Sequence, residues 1–99
     1  MEVPGGIDGL RAEVDALDDA LVALLAERLH AARLMGLAKR AGLLPILDPA
    51  REEAILTRIA LRAGELGVEE QDLRDIYRRI LATSRRVQAE VVDHRPEAG

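Results

Sequence analysis

Apolar residues recur through the first third of the chain at Ile7, Leu10, Val14, Leu17, Leu21, Leu24, Ala31, Met35 and Ala38, with Arg28 set into the same row. Steps of three and four never slip, which is the period of one helix face and the seam of helices that pack lengthwise. About thirty residues of unbroken pattern exceed an ordinary globular helix, so the segment expects another helix alongside it, often from a second chain. Arg28 occupies an inward position in this row, and Lys39, the one lysine beside thirteen arginines, follows just beyond it. Cations set into an apolar seam expect an anion.

The rest of the chain must supply a core without aromatic bulk. Of 99 residues, 48% are hydrophobic but only 1% aromatic, with no Phe, no Trp and Tyr77 alone. Leu, Ile, Val and Ala fill the space between helices well, whereas a β-sandwich of this size would carry more aromatic and β-branched residues and regular turn signals. The chain therefore reads as all-α and as one domain, residues 1–99, with a core over 7–91 and flexible termini at 1–6 and 93–99. A chain this short buries only about two thirds of its unfolded surface, so a long projecting helix calls for oligomerisation.

Several chemistries are set aside by composition. No cysteine is present, and His30 and His94 lie far apart in sequence, so neither a disulfide framework nor a metal site is expected. The start, MEVPGG, has no basic region of the secretory kind, and the apolar run from Ala20 to Ala26 is too short and too closely flanked by charge to cross a bilayer. A cytoplasmic protein is expected, with no membrane partner. A formal charge of -4 and the lack of stacking aromatics argue against nucleic acid. The pairs Arg78-Arg79 and Arg85-Arg86 read as solvated helix faces.

Three helices account for nearly the whole length. The first should begin between Ile7 and Leu10, after Pro4-Gly5-Gly6, and run to about Arg40, with Gly42 stopping it. The second opens at Asp48-Pro49, where Asp suits the N-cap, Pro the first helical position, and Glu52 and Glu53 the positive end of the dipole. It turns Ile55, Leu56 and Ile59 inward and ends around Gly64 or Gly67. The third begins near Glu69 and should bury Leu73, Ile76, Tyr77, Ile80, Leu81, Val87 and Val91.

Polar residues on the inward faces are the candidates for chemistry. Ser84 and Gln88 continue the row from Ile80 in steps of four, so both should point where the apolar residues point. Arg28 and Lys39, eleven residues apart, differ by roughly 20° of rotation and about 16 Å along the axis, so two long side chains could bracket a small anion. Arg11 lies about 25 Å from Arg28 on the same helix and cannot reach that anion from its own chain. If it serves the site, an antiparallel second chain must deliver it. Arg51 stands in a first helical turn, where a cation opposes the dipole, and so answers something anionic. Each residue also has a plainer reading: Arg28 as a register-setting or snorkelling residue, Asp48 as an N-cap, Gln88 as a partner for a backbone carbonyl, Lys39 as an ordinary lysine near a helix C-terminus.

Taken together, Arg11, Leu17-Asp18, Leu24-Leu25-Ala26-Glu27-Arg28, Lys39, Asp48-Pro49-x-Arg51-Glu52 and Ser84-x-x-x-Gln88 resemble the all-helical class of chorismate mutases, over about residues 7 to 91. The resemblance implies three helices per chain in an intertwined homodimer, with two equivalent sites each completed by Arg11 of the other chain. It implies the Claisen rearrangement of chorismate to prephenate, an isomerisation that requires no nucleophile, general base or cofactor. Catalysis then consists of selecting the reactive conformer and stabilising its polarised transition state.

The same resemblance assigns roles. Arg28 and the other chain's Arg11 pair with the two substrate carboxylates, as planar guanidinium groups do. Lys39 and Gln88, the catalytic pair, donate to the ether oxygen, where negative charge grows as the C–O bond breaks. Glu52 and the backbone around Asp48 hold the ring hydroxyl, Ser84 assists a carboxylate, and Arg51 helps carry the anionic charge or orient the acids. Some relatives carry Glu where this chain has Gln88; an amide donates at any pH, so activity should not collapse between mildly acidic and neutral pH. The alternatives are an isochorismate pyruvate-lyase of the same fold, or a noncatalytic dimerisation or regulatory module of a shikimate-pathway enzyme. Because such mutases also occur fused to other pathway enzymes, the chain reads as free-standing or as a separated domain with a pathway-enzyme partner.

Overall fold

A computed structural model describes residues 2–93 of the chain. The order is α1 (Gly6–Ala41), α2 (Pro49–Glu65) and α3 (Glu70–Asp93), and the described residues include no strand. The all-α expectation holds, and each helix starts and stops within a few residues of its sequence signals. Of the flexible termini expected, Met1 and residues 94–99 lie outside the described residues.

The helix ends show why the breaks fall where they do. Asp48 caps α2, its Oδ1 accepting from the backbone N–H of Arg51 at 3.1 Å, with Pro49 in the first turn. At the other end Gly67 takes φ +73°, with the N–H of Val68 bonded to the Ala63 carbonyl and that of Gly67 to the Gly64 carbonyl, which closes a Schellman motif. Helix α1 closes in the same way one residue later than expected. The N–H of Leu44 reaches the Lys39 carbonyl at 2.8 Å and that of Leu43 the Arg40 carbonyl at 3.2 Å, so the left-handed position falls on Leu43, at φ +56°, and not on Gly42. A leucine there pays a steric cost that glycine does not. Because Leu43 is 93% exposed, Leu43→Gly should stabilise the chain by roughly 0.5–1 kcal/mol, relief of strain outweighing glycine's added unfolded entropy. Thermal unfolding checks this, and a lowered Tm would contradict it.

The chain divides into two compact units, residues 1–31 and 32–99. The first consists of α1 up to Ala31. Its seam is exposed in the single chain: Ile7, Val14, Leu17, Leu21 and Leu24 each keep more than half their surface in solvent. The second unit holds the end of α1 with α2 and α3, which pack on each other around Ile55, Leu56 and Leu81, with Ile59 and Tyr77 against them. Burying each such aliphatic side chain contributes about 1.5–3 kcal/mol. Ile76, expected inside, is 55% exposed. Within this unit α1 buries Ala32 and Gly36, a different stripe from the seam, while Met35 stays 52% exposed.

Candidate functional site

Lys39 is two residues before the end of α1, where the Schellman turn reverses the chain and returns the loop before α2 toward the helix. Its Nζ donates to the Ile46 carbonyl at 2.7 Å and to Oε1 of Gln88 at 2.8 Å. Ammonium only donates, so the oxygen end of the Gln88 amide faces it and Nε2 is left as the donor end of the amide. Lys39 is half-buried and Gln88 is 8% exposed. Two of the three ammonium hydrogens are spent on fixing geometry, and the third remains as a donor for a ligand.

A glycine makes this approach possible. A Cβ at Gly36 would lie 2.6 Å from Cγ2 of Val91 and 3.0 Å from both the Cα and the carbonyl oxygen of Gln88. The backbone of α1 therefore lies directly on α3 at the residue that Lys39 contacts, one turn further along α1. Sequence reasoning passed over Gly36; its signal was a glycine inside an otherwise strong helix, where glycine costs about 1 kcal/mol and so implies a packing reason.

The first turn of α2 supplies the acidic component. Asp48 is occupied as the N-cap, and its carbonyl accepts from the Glu52 N–H at 3.0 Å. Arg51 meets Asp48 through its backbone, and its side chain is exposed. Glu52 instead reaches α3, where Oε1 accepts from Nη1 of Arg85; the two side chains are 23% and 35% exposed. This corrects the reading of Arg85-Arg86 as a wholly solvated pair. Arg86 does pair outward with Glu90, but Arg85 is held against α2. On α3, Ser84 is 5% exposed and so shares the buried face with Gln88, as their spacing implied. No buried side-chain nitrogen or oxygen among the described residues lacks a hydrogen-bond partner.

In the first unit, Arg28 is half-buried, whereas Arg11 is exposed and lies 3.9 Å from Asp8, an i,i+3 pair with side chains 72% and 94% exposed. A pair so solvated contributes little to stability and leaves Arg11 available. The structure thus joins Lys39 to Gln88, Glu52 to Arg85 and Asp48 to the backbone of Arg51. An open groove along Ala54, Thr57, Arg58 and Leu61 is lined by α2 alone and includes no candidate residue. Among the described residues there is no cluster of three or more His, Asp or Glu suited to a metal ion, and no helix long and apolar enough to cross a membrane.

Lys39 and Gln88 thus form an ammonium–amide pair between α1 and α3, and Glu52 in the first turn of α2 pairs with Arg85 of α3. Residues 10–89 match the family model described as chorismate mutase type II. The chain is similar to the T-protein of Haemophilus influenzae, 37% identical over 75 residues, which is 76% of this chain and 20% of that protein. It is likewise similar to the T-protein of Enterobacter agglomerans, 36% identical over 78 residues, 79% of this chain and 21% of that one. The chain thus spans about a fifth of the length of these curated relatives. No solved structure matches it significantly. With a family model covering most of its length and an all-helical fold of three helices, the chain belongs to the type II chorismate mutase family.

Proposed function

We propose that this chain catalyses the rearrangement of chorismate to prephenate, and that Lys39 and Gln88 are its catalytic residues. The observation that carries this reading is the Lys39–Gln88 hydrogen bond at 2.8 Å, which fixes an ammonium and an amide, both with further N–H groups, side by side at a largely buried point. A unimolecular pericyclic reaction needs donors fixed in advance where charge develops, and fixed donors in a site poor in water act far more strongly than donors in solution. Neither group has to transfer a proton. Arg28 pairs with one substrate carboxylate, Arg51 adds cationic charge, Ser84 hydrogen-bonds a carboxylate, and the Asp48 backbone with Glu52 receives the ring hydroxyl. No cofactor or metal enters the reaction.

The working species is a homodimer in which Arg11 of a second copy completes each site. Support comes from α1, whose seam from Ile7 to Leu24 is exposed in the single chain, a larger apolar stripe than a monomer of this size keeps in water. The same helix carries Arg11 too far from Arg28 to share a ligand within one chain. A protein of the shikimate pathway located in the cytoplasm, free-standing or joined to another pathway enzyme, fits this activity.

The decisive experiment follows chorismate absorbance with the purified chain and identifies the product. Prephenate supports the reading; pyruvate release from isochorismate would point to the lyase, and no turnover of either to a noncatalytic module. Mixing inactive Arg11→Ala and Arg28→Ala chains should then restore activity, up to about a quarter of the wild-type specific value, since a randomly mixed dimer pool is half heterodimer with one intact site of two. Heterodimers shown to form without any rescue would refute shared sites.

A further inference from the structure

Arg85 has a place in the structure that its sequence neighbourhood does not suggest, and its partner stands beside the proposed site. On α3 it follows buried Ser84 directly and precedes Gln88 by one turn, so it shares the end of the helix that meets Lys39. Across from it, Glu52 is in the first turn of α2, and the Arg85–Glu52 ion pair holds both charged groups mostly out of water. A carboxylate so placed presents a difficulty to any site that takes a dianion. It would repel the ligand in ground state and transition state alike, and in a partly dry environment that repulsion is only weakly screened. Arg85 supplies the opposite charge at bonding distance.

We infer that Arg85 is a positioning residue that neutralises Glu52 and orients it, so that Oε1 is occupied by the guanidinium while Oε2 remains to accept a hydrogen bond from a hydroxyl on a dicarboxylate substrate. This lets an acid serve for hydroxyl recognition inside an anion-binding site. The inference rests on the chorismate mutase reading. It predicts a charge rule for the pair: neutral when both residues are present or both are replaced by amides, and net negative when only Arg85 is lost.

The test compares wild type, Arg85→Gln, Glu52→Gln and the double variant, with kcat and KM for chorismate measured at matched pH and two ionic strengths. Arg85→Gln should raise KM about ten-fold with kcat changed less than about three-fold, because the repulsion acts on substrate and transition state equally. Raising the salt should partly restore it. In the double variant the amide at position 52 keeps a carbonyl oxygen for the hydroxyl but loses the group that orients it, so KM should fall at least about three-fold from the Arg85→Gln value without reaching wild type, whereas Arg85→Lys, which keeps the charge, should stay within about three-fold of wild type. A bridge that merely joins α2 to α3 would show its loss in Tm, with KM and its salt dependence left near wild type. Losses that add in the double variant, or an unchanged KM in Arg85→Gln, overturn the inference while wild-type turnover upholds the mutase reading. Should Arg85→Gln fail to fold, the double variant decides: a KM within about three-fold of wild type supports the charge rule, and a ten-fold rise refutes it. A wild-type chain that leaves chorismate intact overturns the mutase reading and the inference with it.

Discussion

Lys39→Ala should lower kcat/KM for chorismate by about 10²–10³-fold, which corresponds to roughly 2.7–4 kcal/mol of transition-state stabilisation. Two effects combine. The ammonium hydrogen that would meet the developing oxyanion is removed, and the Gln88 amide loses the contact that sets its orientation, so the second donor is freed to rotate away. Because the charge at the ether oxygen grows only as the bond breaks, the loss should appear in kcat more than in KM. Folding should survive. The change leaves the Ile46 carbonyl without its lysine partner, at a cost of about 1 kcal/mol, but it also removes a half-buried charge. Circular dichroism and thermal unfolding separate a lost site from a lost fold, and a Lys39→Ala protein retaining near wild-type turnover would refute the mechanism. Lys39→Arg should not rescue, since a planar fork cannot replace a compact charge set between Ile46 and Gln88.

The second large effect should come from a residue that touches no substrate. Gly36→Ala adds one methyl group where the space is already taken by Val91 and by the backbone of Gln88. The Val91 methyl can rotate aside, but a Cβ 3.0 Å from backbone atoms of Gln88 requires the end of α1 and α3 to separate. Overpacking of this kind costs typically 1–3 kcal/mol, and alanine's better helix propensity offsets about 1 kcal/mol at most. The larger consequence is geometric. Separation of the two backbones by several tenths of an ångström lengthens the Lys39–Gln88 hydrogen bond and misaligns both donors, and small misplacements of this order cost up to about 10²-fold in rate. The expected outcome is a folded protein with Tm lowered by several degrees and kcat reduced ten-fold or more. Gly36→Ala with unchanged kcat would show that the close approach does not set the donor geometry. Gly9 offers a control in the other unit, because a Cβ there meets the Pro4 carbonyl oxygen at 3.3 Å, well away from Lys39 in sequence.

Much of the fold was legible because helices announce themselves locally. The Asp48-Pro49 start of α2 and the Gly67 stop involve residues within five positions of each other, and both motifs form as their residue types predict. The inward orientation of Ser84 and Gln88 follows from counting in steps of four, and both are buried. Leu43 shows where local reading stops short. Gly42 was the better left-handed residue on propensity, yet the bonds from Leu43 and Leu44 back to Arg40 and Lys39 place that conformation one residue later. The loop that follows must bring the Ile46 carbonyl to Lys39, a demand visible only once the loop is folded.

The candidate site divides along the same line. Periodicity and residue type picked out Lys39, Gln88 and Ser84, because a polar residue on or beside an apolar face is conspicuous wherever its neighbours end up, whereas Glu52 read only as a first-turn acid and received a site role through the family resemblance. Which stripe of α1 packs in the second unit was not legible. The seam with the strongest period, Ile7 to Ala38, is exposed along much of its length, while the stripe that meets α3 consists of Ala32 and Gly36, residues too small to register as a hydrophobic signal. Arg85 was misread for a related reason: its partner Glu52 is thirty-three positions away, and a charge beside another arginine looks solvated until the facing helix is known. Sequence by itself determined three helices, the caps of α2 and the inward placing of Ser84 and Gln88, since these depend on neighbours within one or two turns. Only the tertiary structure decided which polar residues touch, through the Gly36 contact that brings Lys39 onto Gln88 and the ion pair that turns Glu52 toward Arg85, because distance and rotation between helices are set by packing and not by the order of residues along any one of them.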